Sequence, residues 1–267
     1  MTARARAIGW TTILACAGVL VAPHAAWAGA WTDPQGEGLV IETFYGWTGN
    51  GAPWGGNKGV SQNRFDAQTY GEYGLTDEWT VFGEMAIERY QLGQPTPNTY
   101  EGLDYSEIGL RRKLWATGAW VFSGEATLFA PGAHDPSAPA QAGDTGWAGE
   151  ARLSAGANFS LGPWPGFLDG EVGYRVRTAG PPDEWHADLT VGLKPAPGWI
   201  VMAQDFTTIS MSSSNREFPA WRSSIVEASL VAPLDAHWSL QFGLFASVLA
   251  VKTNTERGAA VAVWRRF

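Results

Sequence analysis

The chain is almost without sulfur chemistry. Its only cysteine, Cys16, lies in an N-terminal apolar stretch, so the remainder has no disulfide, no thiolate nucleophile and no thiolate metal ligand. Histidine is scarce, four in 267 residues, and neither H-x-H nor H-E-x-x-H occurs. Basic residues number 18 against 26 acidic, a formal net charge of −8 that speaks against nucleic acid as a partner. Past residue 28 no run is apolar enough for a membrane-spanning helix, and no glycine-rich loop has the form of a phosphate cradle. The expectation is therefore no metal site, no cofactor and no catalytic residue. If this chain lives in a membrane it must be a closed barrel, because hydrocarbon offers unpaired backbone groups no partner.

What is present begins with "MTARARAIGWTTILACAGVLVAPHAAWAGA". Arg4 and Arg6 precede an apolar stretch from Ala7 to Ala22, and Ala26-Trp27-Ala28 follows as a small-residue cleavage triplet. That is the pattern of a secretory signal peptide, residues 1–28, removed after Ala28 or, as second choice, after Ala30. The run is too short for a comfortable membrane anchor. Lipidation at Cys16 is the lesser alternative, because it would leave the apolar "AGVLVA" at the new terminus.

The rest, 29–267, reads as one domain with a period of two. In "WAGEARLSAGANF", Trp147, Gly149, Ala151, Leu153, Ala155, Ala157 and Phe159 share one face, with Glu150, Arg152, Ser154 and Asn158 on the other. "WSLQFGLFASV" and "FDAQTYGEY" repeat the alternation, the mark of strands with one apolar and one polar face. Twelve such segments follow: 38–47, 62–73, 79–90, 105–115, 119–130, 147–159, 167–177, 184–194, 199–209, 222–232, 237–249 and 257–267. Odd-numbered connections are mostly long and even ones mostly short, as in outer-membrane barrels with long outer loops and tight periplasmic turns. Trp79, Trp115, Trp120, Trp164, Trp199, Trp238 and Trp264 fall at the short-turn ends, and Trp47, Trp147, Trp185 and Trp221 at the long-loop ends. Two aromatic girdles suit a lipid–water boundary. The expected fold is all-β: a closed, antiparallel, up-and-down transmembrane β-barrel of about twelve strands.

The chain stops on "AVAVWRRF". This resembles the C-terminal signal of Gram-negative outer-membrane barrels, a last strand ending in Phe that the barrel-assembly machinery reads; the resemblance gives Phe267 the role of assembly signal. Arg265 departs from it, standing where an aromatic is common. The stretch "YGEYGLTDEWTVFGEM" is similar to the strand–turn–strand unit of the outer-membrane transporter family of the MetA pathway of phenol degradation, over two strands only. These resemblances imply residence in the cell outer membrane among its lipids.

Turning the apolar faces to lipid sends charge inward. The acids are Glu42, Asp66, Glu72, Glu84, Glu88, Glu107, Glu125, Glu150, Asp169, Glu171, Asp188 and Glu227; the bases are Arg64, Arg111, Lys113, Arg152, Arg175, Arg177 and Lys194. Glu84, Glu88, Glu107, Arg111, Glu125, Glu150, Arg152, Glu171, Arg175 and Asp188 are the lumen-lining candidates. Pairing of Glu150 and Arg152 with Glu171 and Arg175, and of Arg64, Arg111, Arg175 and Arg177 with Asp66, Glu107, Asp169 and Glu171, leaves Glu84, Glu88 and Glu125 as the expected uncompensated acids. Charges inside a membrane body need water or partners. The reading is a narrow passive channel for small solutes, cation-preferring or indifferent to charge. One alternative is a self-plugged structural or surface-interaction barrel. Another is a lipid-acting acyl hydrolase, which would need a Ser–His pair; His134 near Ser137, and His186 between Glu184 and Asp188, are the only candidates, since His237 lies in a periplasmic turn.

Overall fold

The computed structural model describes residues 29–50, 61–93, 98–132, 146–178, 182–211 and 220–267. The expected signal segment, His134, Ser137 and most of the two longest expected loops lie outside these residues.

Alternating faces become twelve strands: β1 (Gly38–Asn50), β2 (Ser61–Thr76), β3 (Trp79–Leu92), β4 (Asn98–Thr117), β5 (Trp120–Pro131) and β6 (Ala148–Leu161), then β7 (Trp164–Arg177), β8 (Glu184–Leu193), β9 (Ile200–Ser210), β10 (Arg222–Pro233), β11 (Trp238–Val251) and β12 (Thr255–Arg266). Each pairs antiparallel with its successor, and β12 returns to β1, so the sheet has no free edge. Closure extends past the last strand: the Gly38 N–H donates to the Phe267 carbonyl at 2.9 Å and the Phe267 N–H to the Gly38 carbonyl at 3.1 Å.

Each expected segment overlaps one strand, with informative differences. "SLGPWPG" is no middling loop; β6 and β7 run to either side of Gly162-Pro163, and Gly162 takes φ +60°, which a Cβ would oppose. β4 starts at Asn98 rather than 105, because Gly102 and Asp104, which read as turn residues, sit within the β3–β4 ladder. There a bulge sets Met85 opposite Ser106 and Ile87 opposite Leu103. The extra residue lets both Asp104 and Tyr105 reach lumen partners, Arg64 and Glu84.

The molecule is inside out relative to a water-soluble domain. Phe65, Ile87, Ile108, Leu128, Leu153, Leu244 and Val248 are at least half exposed, while Asp66, Glu72, Glu88, Arg111, Glu150, Asp169 and Glu184 are buried. An apolar belt of this extent is unfavourable in water and satisfied by hydrocarbon. Trp79, Trp115, Trp120, Trp164, Trp199 and Trp238 point outward near the short-turn rim, and Trp147 and Trp185 near the other. Arginine stacks on this girdle: Arg112 lies 5.2 Å from the Trp79 ring and Arg265 5.3 Å from Trp238. Two tryptophans depart from the expected girdles. Trp264 is buried in the lumen and donates to Gln241 Oε1 at 2.9 Å, and Trp47 packs beside Tyr90 with Arg64 over its ring.

Candidate functional site

The lumen carries three arginine-centred clusters. Arg64 on β2 lies 2.6 Å from Asp66 and Glu88 and 2.5 Å from Asp104. On β6, Arg152 meets Glu150, Glu171 and Asp188, while Arg175 on β7 reaches Glu150 at 2.7 Å. Arg111 on β4 bridges Glu72 at 3.1 Å and Glu125 at 2.6 Å. Near the long-loop rim Arg177 pairs with Glu184 at 2.5 Å. A guanidinium forks to more than one carboxylate, which is why arginine rather than lysine holds these nodes.

The expected pairing needs correction. Glu88 and Glu125, read as uncompensated, are the partners of Arg64 and Arg111. Arg111 turns to Glu72 and Glu125 instead of Glu107, and Arg177 to Glu184 instead of Asp169 or Glu171. Among the described residues, the expected acids that face the lumen with no arginine or lysine in ion-pair contact are Glu84, Glu107, Asp169 and Glu227. Glu84 accepts from the Tyr105 hydroxyl at 2.8 Å and faces Glu107 directly across the β3–β4 ladder; Glu227 accepts from Gln241 at 3.4 Å. The physical reason is reach: a guanidinium spans two strands, so its choice depends on register and stagger, not on its own strand's alternation. Glu42 is corrected too. It stands opposite Thr69 and Val263 on the outward face, with the Thr69 hydroxyl donating to it at 2.5 Å, because Leu39, Ile41 and Thr43 turn inward. Asp205, which the sequence reading passed over, is likewise outward, opposite Leu189 and Val226, and takes hydroxyl hydrogen bonds from Thr207 at 2.8 Å and Ser224 at 2.5 Å.

Sequence reasoning missed one structural part altogether, the strap of residues 29–35. It enters the barrel at the short-turn rim and crosses the lumen. The Gly29 N–H donates to Glu171 Oε1 at 3.1 Å and the Ala30 N–H to Asp169 Oδ1 at 3.0 Å. Ser123 donates to the Ala30 carbonyl, and Arg111 to the Trp31 carbonyl at 3.1 Å. The Asp33 N–H donates to Thr80 at 2.8 Å, and the Gln35 N–H to Asp77 at 3.0 Å. Beside the strap the lumen is apolar: Leu39, Phe167, Ile200, Met202, Val231, Ala262 and Trp264 cluster, with Trp31 and Ile41 packed on them. A signal existed. Gly156 faces inward in the cleanest alternating segment, and a Cβ there would come within 2.4 Å of the Trp31 indole.

The strap and turns hold the titratable groups that leave the wall. Burial, reinforced by the neighbouring Glu72, pushes the Asp33 carboxyl up to about 7. Burial lowers the Lys194 ammonium to about 8, with Arg266 adding repulsion. In the exposed β10–β11 turn, the His237 and Trp238 N–H groups donate to Asp235 and hold its carboxyl below the usual range. His186 lies in the lumen, 3.3 Å from Glu184 and 3.9 Å from Glu150, so its partners are carboxylates. Among the described residues no cluster of three or more His, Cys, Asp or Glu has the geometry to hold a metal ion.

No protein-family model matches the chain, and no curated protein matches it by sequence. Solved structures do. An outer-membrane channel from Pseudomonas putida F1 aligns with a TM-score of 0.67 at 16% identity, covering 91% of this chain and 100% of that one. The translocator domain of the autotransporter NalP from Neisseria meningitidis gives 0.54 at 10% identity over 90% and 91%. The β domain of the Bordetella autotransporter BrkA gives 0.53 at 14% over 87% and 100%. At these identities the likeness speaks to architecture, and the architecture is that of the twelve-stranded barrels of Gram-negative outer membranes.

Proposed function

We propose that the protein is a narrow passive channel of the Gram-negative outer membrane for small solutes, with a preference for cations. The observation that carries this reading is the charge arrangement of the lumen. Arg64, Arg111, Arg152, Arg175 and Arg177 are all held in ion pairs, while Glu84, Glu107, Asp169 and Glu227 have no arginine or lysine in ion-pair contact among the described residues. Carboxylates along a low-dielectric wall attract cations and repel anions. The surrounding lipid is the partner of the apolar belt, and the barrel-assembly machinery is the partner of the closing strand. Of the two histidines weighed for an acyl hydrolase, His186 faces the lumen rather than the lipid, and His134 lies outside the described residues.

The test is single-channel recording of refolded protein in planar bilayers, with reversal potentials measured across a potassium chloride gradient. The expected outcome is cation preference that declines as salt rises, since screening shortens to about 10 Å at 0.1 M. E84Q/E227Q should reduce it. Anion preference, or preference unchanged in that variant, overturns the mechanism. A second reading, the closed structural barrel, is favoured by the strap and apolar cluster across the short-turn rim. Absence of any conductance would select it.

A further inference from the structure

Asp169 and Glu171 stand two residues apart on the inward face of β7, and successive strap nitrogens bridge them. Two carboxylates so placed call for positive charge. Glu171 has one cation, Arg152 at 3.2 Å. Asp169 is 2% exposed and has no lysine or arginine in ion-pair contact among the described residues. What sits on both is backbone nitrogen: Gly29 on Glu171 and Ala30 on Asp169.

We infer that this pair of carboxylates is a binding site for the α-ammonium group released when the signal peptide is cut between Ala28 and Gly29. The inference rests on the reading of residues 1–28 as a cleaved signal. Hydrolysis of the Ala28–Gly29 peptide bond consumes one water, leaves a carboxylate on Ala28 and frees an amine on Gly29, which takes up a proton. The nitrogen that donates one hydrogen bond as an amide then offers three donors and a full positive charge where a buried acid and a partly buried one have one arginine in ion-pair contact between them.

The geometry also chooses between the two cleavage points. Cutting after Ala30 would remove both nitrogens that contact β7 and the Ala30 carbonyl that accepts from Ser123. Ala30 itself is fully buried. Glycine at the new terminus lets the nitrogen approach closely: a Cβ on residue 29 would lie 2.1 Å from Glu171 Oε1 and push that carboxylate aside. Processing and seating of the strap are thereby linked. The cut supplies the charge that holds the strap across the lumen, and an uncut chain lacks it.

The experiment uses protein purified from outer membranes. Intact mass comes first. A chain beginning at Gly29 is expected; one beginning at Trp31 overturns the assignment of the site, and one still carrying residues 1–28 overturns the signal reading instead. The folded protein and E171Q are then treated with an amine-reactive succinimidyl ester, and acylation at the N-terminus is followed by peptide mass. Docking predicts labelling at least about tenfold slower in the parent chain than in E171Q or D169N, a factor worth about 1.4 kcal/mol. D169N tests the pair without touching the Arg152 contact. Equal rates in all three folded proteins overturn the ammonium site. Heat-modifiable migration on gels confirms that each variant is a folded barrel.

Discussion

Asp33 places an acid group where an acid is poorly tolerated. Its carboxyl is 3% exposed and Oδ2 has no hydrogen-bond partner. Glu72 on β2 and Glu37 add repulsion, while Arg111 on β4 and Arg266 on β12 offset part of it. The seated strap therefore favours the protonated carboxyl, with a value of about 7 against an ordinary 3.8. Because the seated-state value is the higher, the benefit is complete below the ordinary value and is lost as pH rises through the seated one. Residues 29–35 hold no lysine or arginine for trypsin to read, so the readout is a cysteine at Gln35, exposed in the seated strap. Labelling of deeper positions, Trp31→Cys, should accelerate as pH is raised from about 5 to about 8, relative to Gln35→Cys at each pH. Asp33→Asn should flatten that ratio. A parent ratio that does not change with pH would remove Asp33 from any role in holding the strap.

At the scale of the element, β12 is the strand on which closure depends. Ala259, Val261 and Val263 face lipid, and Phe267 caps that row, 55% exposed and stacked on Tyr73 with ring centroids 6.4 Å apart. Its backbone ties to Gly38 in both directions. Deleting Phe267, or changing it to Ser, removes the aromatic that the assembly resemblance points to and leaves the other ladders intact. The expected outcome is less membrane-inserted, heat-modifiable protein and more periplasmic aggregate; unchanged yield of inserted barrel would refute that role. The strand faces were legible because alternation is a local property, as in 147–159. Glu42 shows where that stops. Leu39 and Ile41 are apolar and inward, since the strap gives them an apolar neighbour inside the barrel, and one polar residue between apolar ones cannot announce which side is wet. The partners of Glu88 and Glu125 were illegible for a different reason, since they are set by stagger between strands. The strap itself, "GAWTDPQ", has no period to read.

For the whole molecule, an even number of strands returns both ends of the barrel to one rim. Gly38 and Phe267 meet at the rim of the short turns, where β2–β3, β4–β5 and β6–β7 are joined by Asp77-Glu78, Gly118-Ala119 and Gly162-Pro163. If this rim is periplasmic, cysteine in place of exposed Ala196, in the β8–β9 turn, should resist an impermeant maleimide on intact cells and react once the outer membrane is opened. Cysteine in place of Met211, at the far end of β9 and 41% exposed, should react on intact cells. Labelling of residue 196 on intact cells would reverse the orientation.

The strap also sets a timetable. Its residues precede every strand in the chain, yet Ala30 and Gly29 find their partners 139 and 142 positions later. Contacts so distant in sequence form late, because the intervening loop must be closed before they return any free energy. During assembly the head of the chain therefore waits, unplaced, until β7 has joined the growing sheet. A seated strap is then a record that the wall is complete at least that far, and an unseated one marks a barrel whose assembly has stalled.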